Sequence, residues 1–516
     1  MKLNSASYIW ALRHLSEEGD SDLFPAPFEI QVFDYCWPDL LAALTKLDVE
    51  QYQWSDGRRF VIPKEALAFR NATQLDPFDS LVLAALIYEF GSAIESHRIP
   101  AGEGIVFSCR FDPRVDGRLY GDSSNWDAFW NASLKHSSLP GVEYVAVADI
   151  TDFYNQIYHH VLENELSAAH VPKPICQSLM NLLKALTQKV SRGIPVGPHA
   201  TRLLAECALN PVDRRLQQIG RPFCRYMDDF HFFCKSKEEA EYAIYELAGI
   251  LDKQGRLTLQ KQKTKIVDRQ TFVAQAHTHL IDRPLNEDEK KILKIIRKHG
   301  GGDPYAPISL KDLSGEELDA LRPDTIEQLL ELYLSHEVVD YSRMGWLIRR
   351  LSQVGTPSAV EFLLANILKV TPILGDVARY LIRAGSFYDG SLPDVGDSII
   401  SALDTGIISR NEYLQLVLIN LFSRLPKLNH LGELTQRYGS VGPATRREIV
   451  LAACAAEDPY WIKERKEEFG TADSWLKRAI ISGSRFLPGD EGQVWRRHIK
   501  STLNEFEKHV VKWAER

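Results

Sequence analysis

The chain has 516 residues, 45% hydrophobic and 25% charged, which is ordinary globular material long enough for two to four domains. Its formal net charge of −8 speaks against a uniformly basic nucleic-acid binder. The seven cysteines form no C-x-x-C pair and no His cluster at ligand spacing, which excludes a recognisable zinc site and fits free thiols in a reducing compartment.

The N-terminal "MKLNSASYIWALRHLSEEGD" lacks the apolar core of a signal peptide, and no later run approaches a membrane span. A soluble cytoplasmic protein with no membrane partner is the expectation. Up to about residue 285 helix-like segments such as "DSLVLAALIYEFGSAIES" alternate with strand-like ones. "EYVAVADI" reads as a strand that ends at Asp149, where a side chain projects into a cleft. Phe153, Ile157, Val161 and Leu162 follow at helical spacing, with Thr151 as the expected N-cap.

"RPFCRYMDDFHFFCK" reads as two short strands with Asp228 and Asp229 at their turn. Asp is a common turn residue, so an isolated pair would be unremarkable. Together with Asp149 it takes on a chemical meaning. Two divalent cations about 3.5–4 Å apart can clamp the attacking and leaving oxygens of an in-line displacement, and Mg²⁺ seeks carboxylates while sharing its shell with phosphates and water.

From Lys253 to Lys298 Lys and Arg outnumber Asp and Glu, which makes either a solvated helix face or a strip that follows a phosphate backbone. After the break "HGGGDPYAP" at 299–307, strand signals nearly vanish and amphipathic helices follow: "TIEQLLELYLSH", "RMGWLIRRLSQVG", "AVEFLLANILKV", "GDVARYLIRAG", "EYLQLVLINLFSRL" and "TRREIVLAACAAE". The stretches "VGTPS", "SLPDVG" and "SVGPA" read as turns between them. The pattern suits an irregular α-solenoid of the HEAT type, with an ordinary helical bundle as the alternative.

These motifs carry a resemblance. "YMDD" is the hallmark of reverse transcriptases, and its neighbours stand in that family's order. "ADITDFY" resembles motif A, "RGIPVGPHATRLLAE" motif B, "LTLQKQKTKI" motif D, and "FVIPKEALAFRNATQLDPFDS" the fingers motif, over roughly residues 58 to 267. The resemblance implies an α+β fold: a right-hand-like fingers–palm domain over residues 1–285, then an all-α HEAT-like repeat domain over 286–516. It implies that Asp149 and Asp228 are the principal ligands of two Mg²⁺ ions (Mn²⁺ being an alternative) and Asp229 the third carboxylate. By the same resemblance Tyr154 is a steric gate against a 2′-hydroxyl, Lys64 and Arg70 contact the dNTP triphosphate, with Arg58 a weaker candidate, and Lys263 lies near the pyrophosphate.

Val196, followed by Gly197, occupies a position where most of the family carries Gln, so ordinary template reading is in doubt. No primer-grip motif follows "TFVAQAH", and no RNase H, integrase, endonuclease or maturase segment is recognisable. "IPVGPHATRLLAE", "GEGIVFSCRFD" and the helical C-terminal part resemble the abortive-infection and unknown-group reverse transcriptases of bacteria. That subgroup implies antiphage defence, homotrimers or hexamers, a partner noncoding RNA, and protein- or RNA-primed synthesis without a conventional template. The rival readings are a templated reverse transcriptase of a mobile element or retron, and an RNA-binding scaffold with an idle palm.

Overall fold

The computed structural model describes residues 1–65, 67–121, 125–279, 286–300, 307–336 and 338–516. Most of the expected Gly/Pro break at 299–307, and residue 285 of the expected domain boundary, lie outside them. The strands, in chain order, are β1 (Arg58–Glu65), β2 (Ala68–Gln74), β3 (Tyr144–Asp149), β4 (Phe223–Tyr226), β5 (Asp229–Cys234) and β6 (Lys265–Asp268).

The chain forms two compact units. The first comprises Met1–Asp22, Ala26–Arg59 and Thr73–Arg283; the second comprises Leu23–Pro25, Phe60–Ala72 and Pro284–Arg516. Neither unit is continuous in sequence, because most of the β1–β2 hairpin belongs with the helices. The cause is local. Phe24, Phe60 and Tyr413 meet as an aromatic cluster with centroids 5.4, 5.8 and 6.4 Å apart. The Tyr413 hydroxyl donates to Leu23 O at 2.8 Å, and Asn411 Nδ2 donates to Val61 O at 2.9 Å.

In the first unit an antiparallel sheet runs β4-β5-β3-β6. Its centre is apolar on both faces, so β3 and β5 read as nearly continuous hydrophobic runs. On one face Val145 and Phe233 pack with Phe129, Trp130 and Phe272 from the helices Trp126–Ser137 and Arg269–His279. His231 shares that face, stacked on Phe129 at 4.5 Å, with Nδ1 2.9 Å from Ser133 Oγ. Burial drives its pKa down to about 3, so the ring is neutral. Phe230 and Phe232 alternate onto the opposite side and stack with Phe223.

Two local expectations fail. The segment after Asp149 is not one helix capped by Thr151. A short helix Phe153–Gln156 begins after Asp152, and a second, His159–Ala168, follows. Between them Ile157 is extended and accepts from Gly193 N–H at 2.8 Å, while Tyr158 bridges to Arg192. "SLPDVG" is not a turn either: Ser391 caps the helix Leu392–Leu403, whose first turn tolerates Pro393. The helix Pro77–Ser96 also corrects the membrane reading, since by length and composition it could cross a bilayer, at mean hydropathy 1.3. Two-thirds of its most apolar stretch (67%) is buried inside the protein, as in a core helix.

In the second unit the helices Tyr341–Val354, Leu374–Ala384, Glu412–Arg424, Pro443–Ala455, Ser474–Gly483 and Glu505–Ala514 pack in succession, each on the next. The hydroxyl of buried Tyr380 links successive turns there, donating to Thr356 O at 2.8 Å and accepting from Ala359 N–H at 2.9 Å.

Phe232 is wholly buried between Phe223 and Phe230. Phe232→Ala should destabilise the first unit by about 3–5 kcal/mol, read as a lower urea midpoint at unchanged slope.

Candidate active site

Three acids collect at one end of the sheet because of strand register. β3 ends at Asp149, which is 4% exposed and stands opposite Asp229, the first residue of β5. Tyr226 pairs with Asp229, leaving Met227 and Asp228 as a two-residue loop. The Asp228 carbonyl accepts from Ile150 N–H at 3.2 Å, tying the loop to the end of β3. The turn expected at the Asp pair is therefore observed, one residue earlier than a symmetric placement would put it.

Lys263 completes the cluster. Its Nζ donates to Asp149 Oδ2 at 2.6 Å, and the segment carrying it is registered by Gln260 N–H donating to Asp149 O at 2.7 Å. Partial burial works against the ammonium, but the hydrogen bond and the charges of Asp149, Asp229 and Asp228 outweigh it and hold its pKa above the ordinary lysine value.

Tyr154 is half-buried with its hydroxyl 3.9 Å from Met227 Sδ, beside the loop. Burial keeps the phenol protonated, its pKa well above the usual value. Its carbonyl accepts from Ile194 N–H at 2.8 Å, joining it to the segment that holds Val196 and Gly197. The Val196 carbonyl accepts from Thr73 N–H at 2.8 Å. Gly197 has φ +136°, a backbone state that favours glycine. Arg58 opens β1 within the first unit; Lys64, exposed, and Arg70, half-buried, belong to the second unit.

The donor set at the sheet end is carboxylate oxygen alone, which suits a hard divalent cation. Among the described residues no group of three or more His, Cys, Asp or Glu side chains is arranged to hold a metal by itself. The residues therefore fit an ion held through one or two carboxylates with phosphate oxygens completing the shell, and do not fit an all-protein cage.

Beneath the loop lies a buried charge network. Arg225, fully buried on β4, donates from Nε to Asp213 Oδ1 at 2.7 Å and from Nη2 to Asp213 Oδ2 at 2.5 Å. It also reaches Glu206 at 3.0 and 3.2 Å and the Met227 carbonyl at 2.8 Å. Arg98 Nη2 donates to Glu206 Oε2 at 2.6 Å and Nη1 to Glu95 Oε2 at 2.8 Å, and Arg110 Nη1 donates to Glu95 Oε1 at 2.9 Å. Ser108 Oγ donates to Glu206 Oε1 at 2.5 Å and accepts from Met227 N–H at 2.8 Å. Burial alone would raise the Glu206 pKa; Arg225 and Arg98 overcome it and hold the carboxyl below its ordinary range.

Residues 108–281 match the family model described as "Reverse transcriptase (RNA-dependent DNA polymerase)". The chain carries a reverse transcriptase domain. No curated protein matches the chain. Among solved structures it is similar to the apo telomerase of Candida tropicalis, with 10% identity, 74% of each chain covered and a TM-score of 0.34. It is also similar to the telomerase of Candida albicans in complex with a TWJ fragment of telomeric RNA, with 10% identity and a TM-score of 0.30. That match covers 76% of this chain and 65% of the other.

Within the reverse transcriptase domain the structure brings together Asp149, Asp228, Asp229, Lys263 and Tyr154. Sequence reasoning missed Arg98, Ser108, Glu206, Asp213 and Arg225. A signal existed: Glu206 sits in "LLAECAL" and Arg225 in "FCRY", ionisable residues inside apolar runs that can be buried only if paired.

Arg225→Met would leave Glu206 and Asp213 buried without that guanidinium. The expected cost is about 3–5 kcal/mol of stability, measured by chemical denaturation.

Proposed function

We propose that this chain is a Mg²⁺-dependent DNA polymerase of the reverse transcriptase type acting in cytoplasmic antiphage defence. One observation carries the polymerase part: register places Asp149 opposite Asp229, with Asp228 on the adjoining loop. Two Mg²⁺ ions, when bound with substrate, would polarise the 3′-oxygen and the phosphate of an in-line displacement. Asp149 and Asp228 would hold them, with Asp229 the third carboxylate. Lys263, a cation beside these acids, would turn from Asp149 toward departing phosphate charge. Tyr154, neutral and packed beside Met227, would close the space at C2′ of the incoming sugar and favour deoxynucleotides. Lys64 and Arg70 would supply positive charge to the triphosphate, Val196 and Gly197 would line the nucleotide site, and Arg58 is the weaker candidate beside them.

The defence reading rests on the resemblance of "GEGIVFSCRFD" and "IPVGPHATRLLAE" to abortive-infection reverse transcriptases, and on the helical second unit. That unit, read as a HEAT-type array, offers a long surface for a noncoding RNA or for further copies in a trimer or hexamer. Synthesis would start from a protein hydroxyl or a bound RNA 3′-end, without a conventional template. The second reading, a scaffold with an idle palm, is favoured by the engagement of Asp149 with Lys263.

Asp228→Asn preserves shape and removes a charge. Nucleotide incorporation by the purified protein should fall on the order of a hundredfold or more, and phage protection should disappear with the protein still folded. Protection that persists would favour the scaffold.

Tyr154→Ala should raise ribonucleotide incorporation relative to deoxynucleotide incorporation in competition assays. An unchanged ratio with activity retained would remove Tyr154 from the gate.

A further inference from the structure

Met227 has φ +52°, a left-handed backbone that costs an L-residue energy and that two-residue hairpin loops ordinarily give to Gly, Asn or Asp at their first position. Such a conformation persists only where its surroundings over-determine it. Around Met227 they do. Its N–H is held by Ser108 Oγ at 2.8 Å, its carbonyl by Arg225 Nη1 at 2.8 Å, and the next carbonyl, of Asp228, by Ile150 N–H at 3.2 Å. The two side-chain tethers are not independent, because both meet at Glu206, which accepts from Ser108 Oγ and from Arg225. Ser108, Glu206 and Arg225 are all wholly buried, so none of these bonds exchanges readily with water.

We infer that Ser108 and Arg225, joined through Glu206, are positioning residues that hold Met227 left-handed and thereby aim the Asp228 carboxylate, a role resting on the polymerase reading. They act on the loop backbone, at the N–H and carbonyl of Met227, and so set where Asp228 points. A loop released from Ser108 would sample the ordinary right-handed and extended states of methionine. In those states Asp228 leaves its place beside Ile150 and Tyr154 loses Met227 as a neighbour, while the nucleotide-binding residues proposed on other segments, Lys64, Arg70, Val196 and Gly197, keep their places. The signature is a loss in turnover with little change in KM.

The test is Ser108→Ala, a smaller side chain that the buried site accommodates. Hydrogen exchange of the 224–231 peptide is followed by mass spectrometry, and kcat and KM for dNTP are measured on the full chain with Mg²⁺. Exchange in that peptide should accelerate roughly tenfold and kcat fall roughly tenfold, the scale of one lost buried hydrogen bond, with KM within about twofold. Ser108→Thr, which keeps the hydroxyl, should restore both. Unchanged exchange in Ser108→Ala, fast exchange with unchanged kcat, or a loss confined to KM would overturn the inference. A wild-type protein that incorporates no nucleotide would defeat the polymerase reading separately. Exchange at the loop would then decide the tether alone: acceleration supports it, and no change overturns it.

Discussion

A guanidinium with no access to water is costly to bury unless carboxylates and carbonyls meet its donors. Arg225 imposes this demand at the centre of the first unit, and the structure satisfies it with Glu206, Asp213 and the Met227 carbonyl. Glu206 lies on the helix His199–Ala208 and Asp213 on the helix Asn210–Gln218, so one side chain on β4 fixes two helices against the sheet. Arg98 extends the constraint from the same Glu206 to Glu95 on the helix Pro77–Ser96. With Arg110 included, three guanidinium groups face three carboxylates. Removing one member of such a network leaves an uncompensated buried charge.

The opposite side of the loop is built differently. The Lys263 side chain is 54% exposed and holds Asp149 from a flexible stem. A lysine is a point charge that can yield a carboxylate to another cation and remain solvated, whereas a buried arginine fork cannot leave without orphaning its partners. The loop is therefore tied on its backbone by a buried, charge-balanced network, while a solvent-exposed lysine meets the Asp149 carboxylate directly.

The hairpin β1–β2 shows how a few aromatic contacts override sequence order. Its residues follow the N-terminal helices in the chain, yet Phe60 packs on Phe24 and Tyr413, and Asn411 holds Val61. Lys64 and Arg70 are thereby carried by the helical unit. Changes in that unit's helices bear directly on the segment that presents these two cations.

Much of the site could be read from sequence because its signals are local. Alternating apolar residues ending in Asp149, and aromatic strands flanking Asp228 and Asp229, specify strands and a turn through side-chain period alone. The order of the motifs was enough to expect a reverse transcriptase domain, and helical spacing was enough to expect the helices after residue 307, but not that the β1–β2 hairpin joins their unit. Three-dimensional packing decided the rest. The break at Ile157 depends on Gly193 and Tyr158 on Arg192, more than thirty residues away in each case. The helix at Leu392 looked like a turn because Pro393 suits a first helical turn as well as a loop. The partners of Arg225 lie 12 and 19 residues from it, and Ser108 is 119 residues from the Met227 it holds. A sequence shows that a charge is embedded in an apolar run; which opposite charge meets it is a property of chain closure, and only the tertiary structure supplies that.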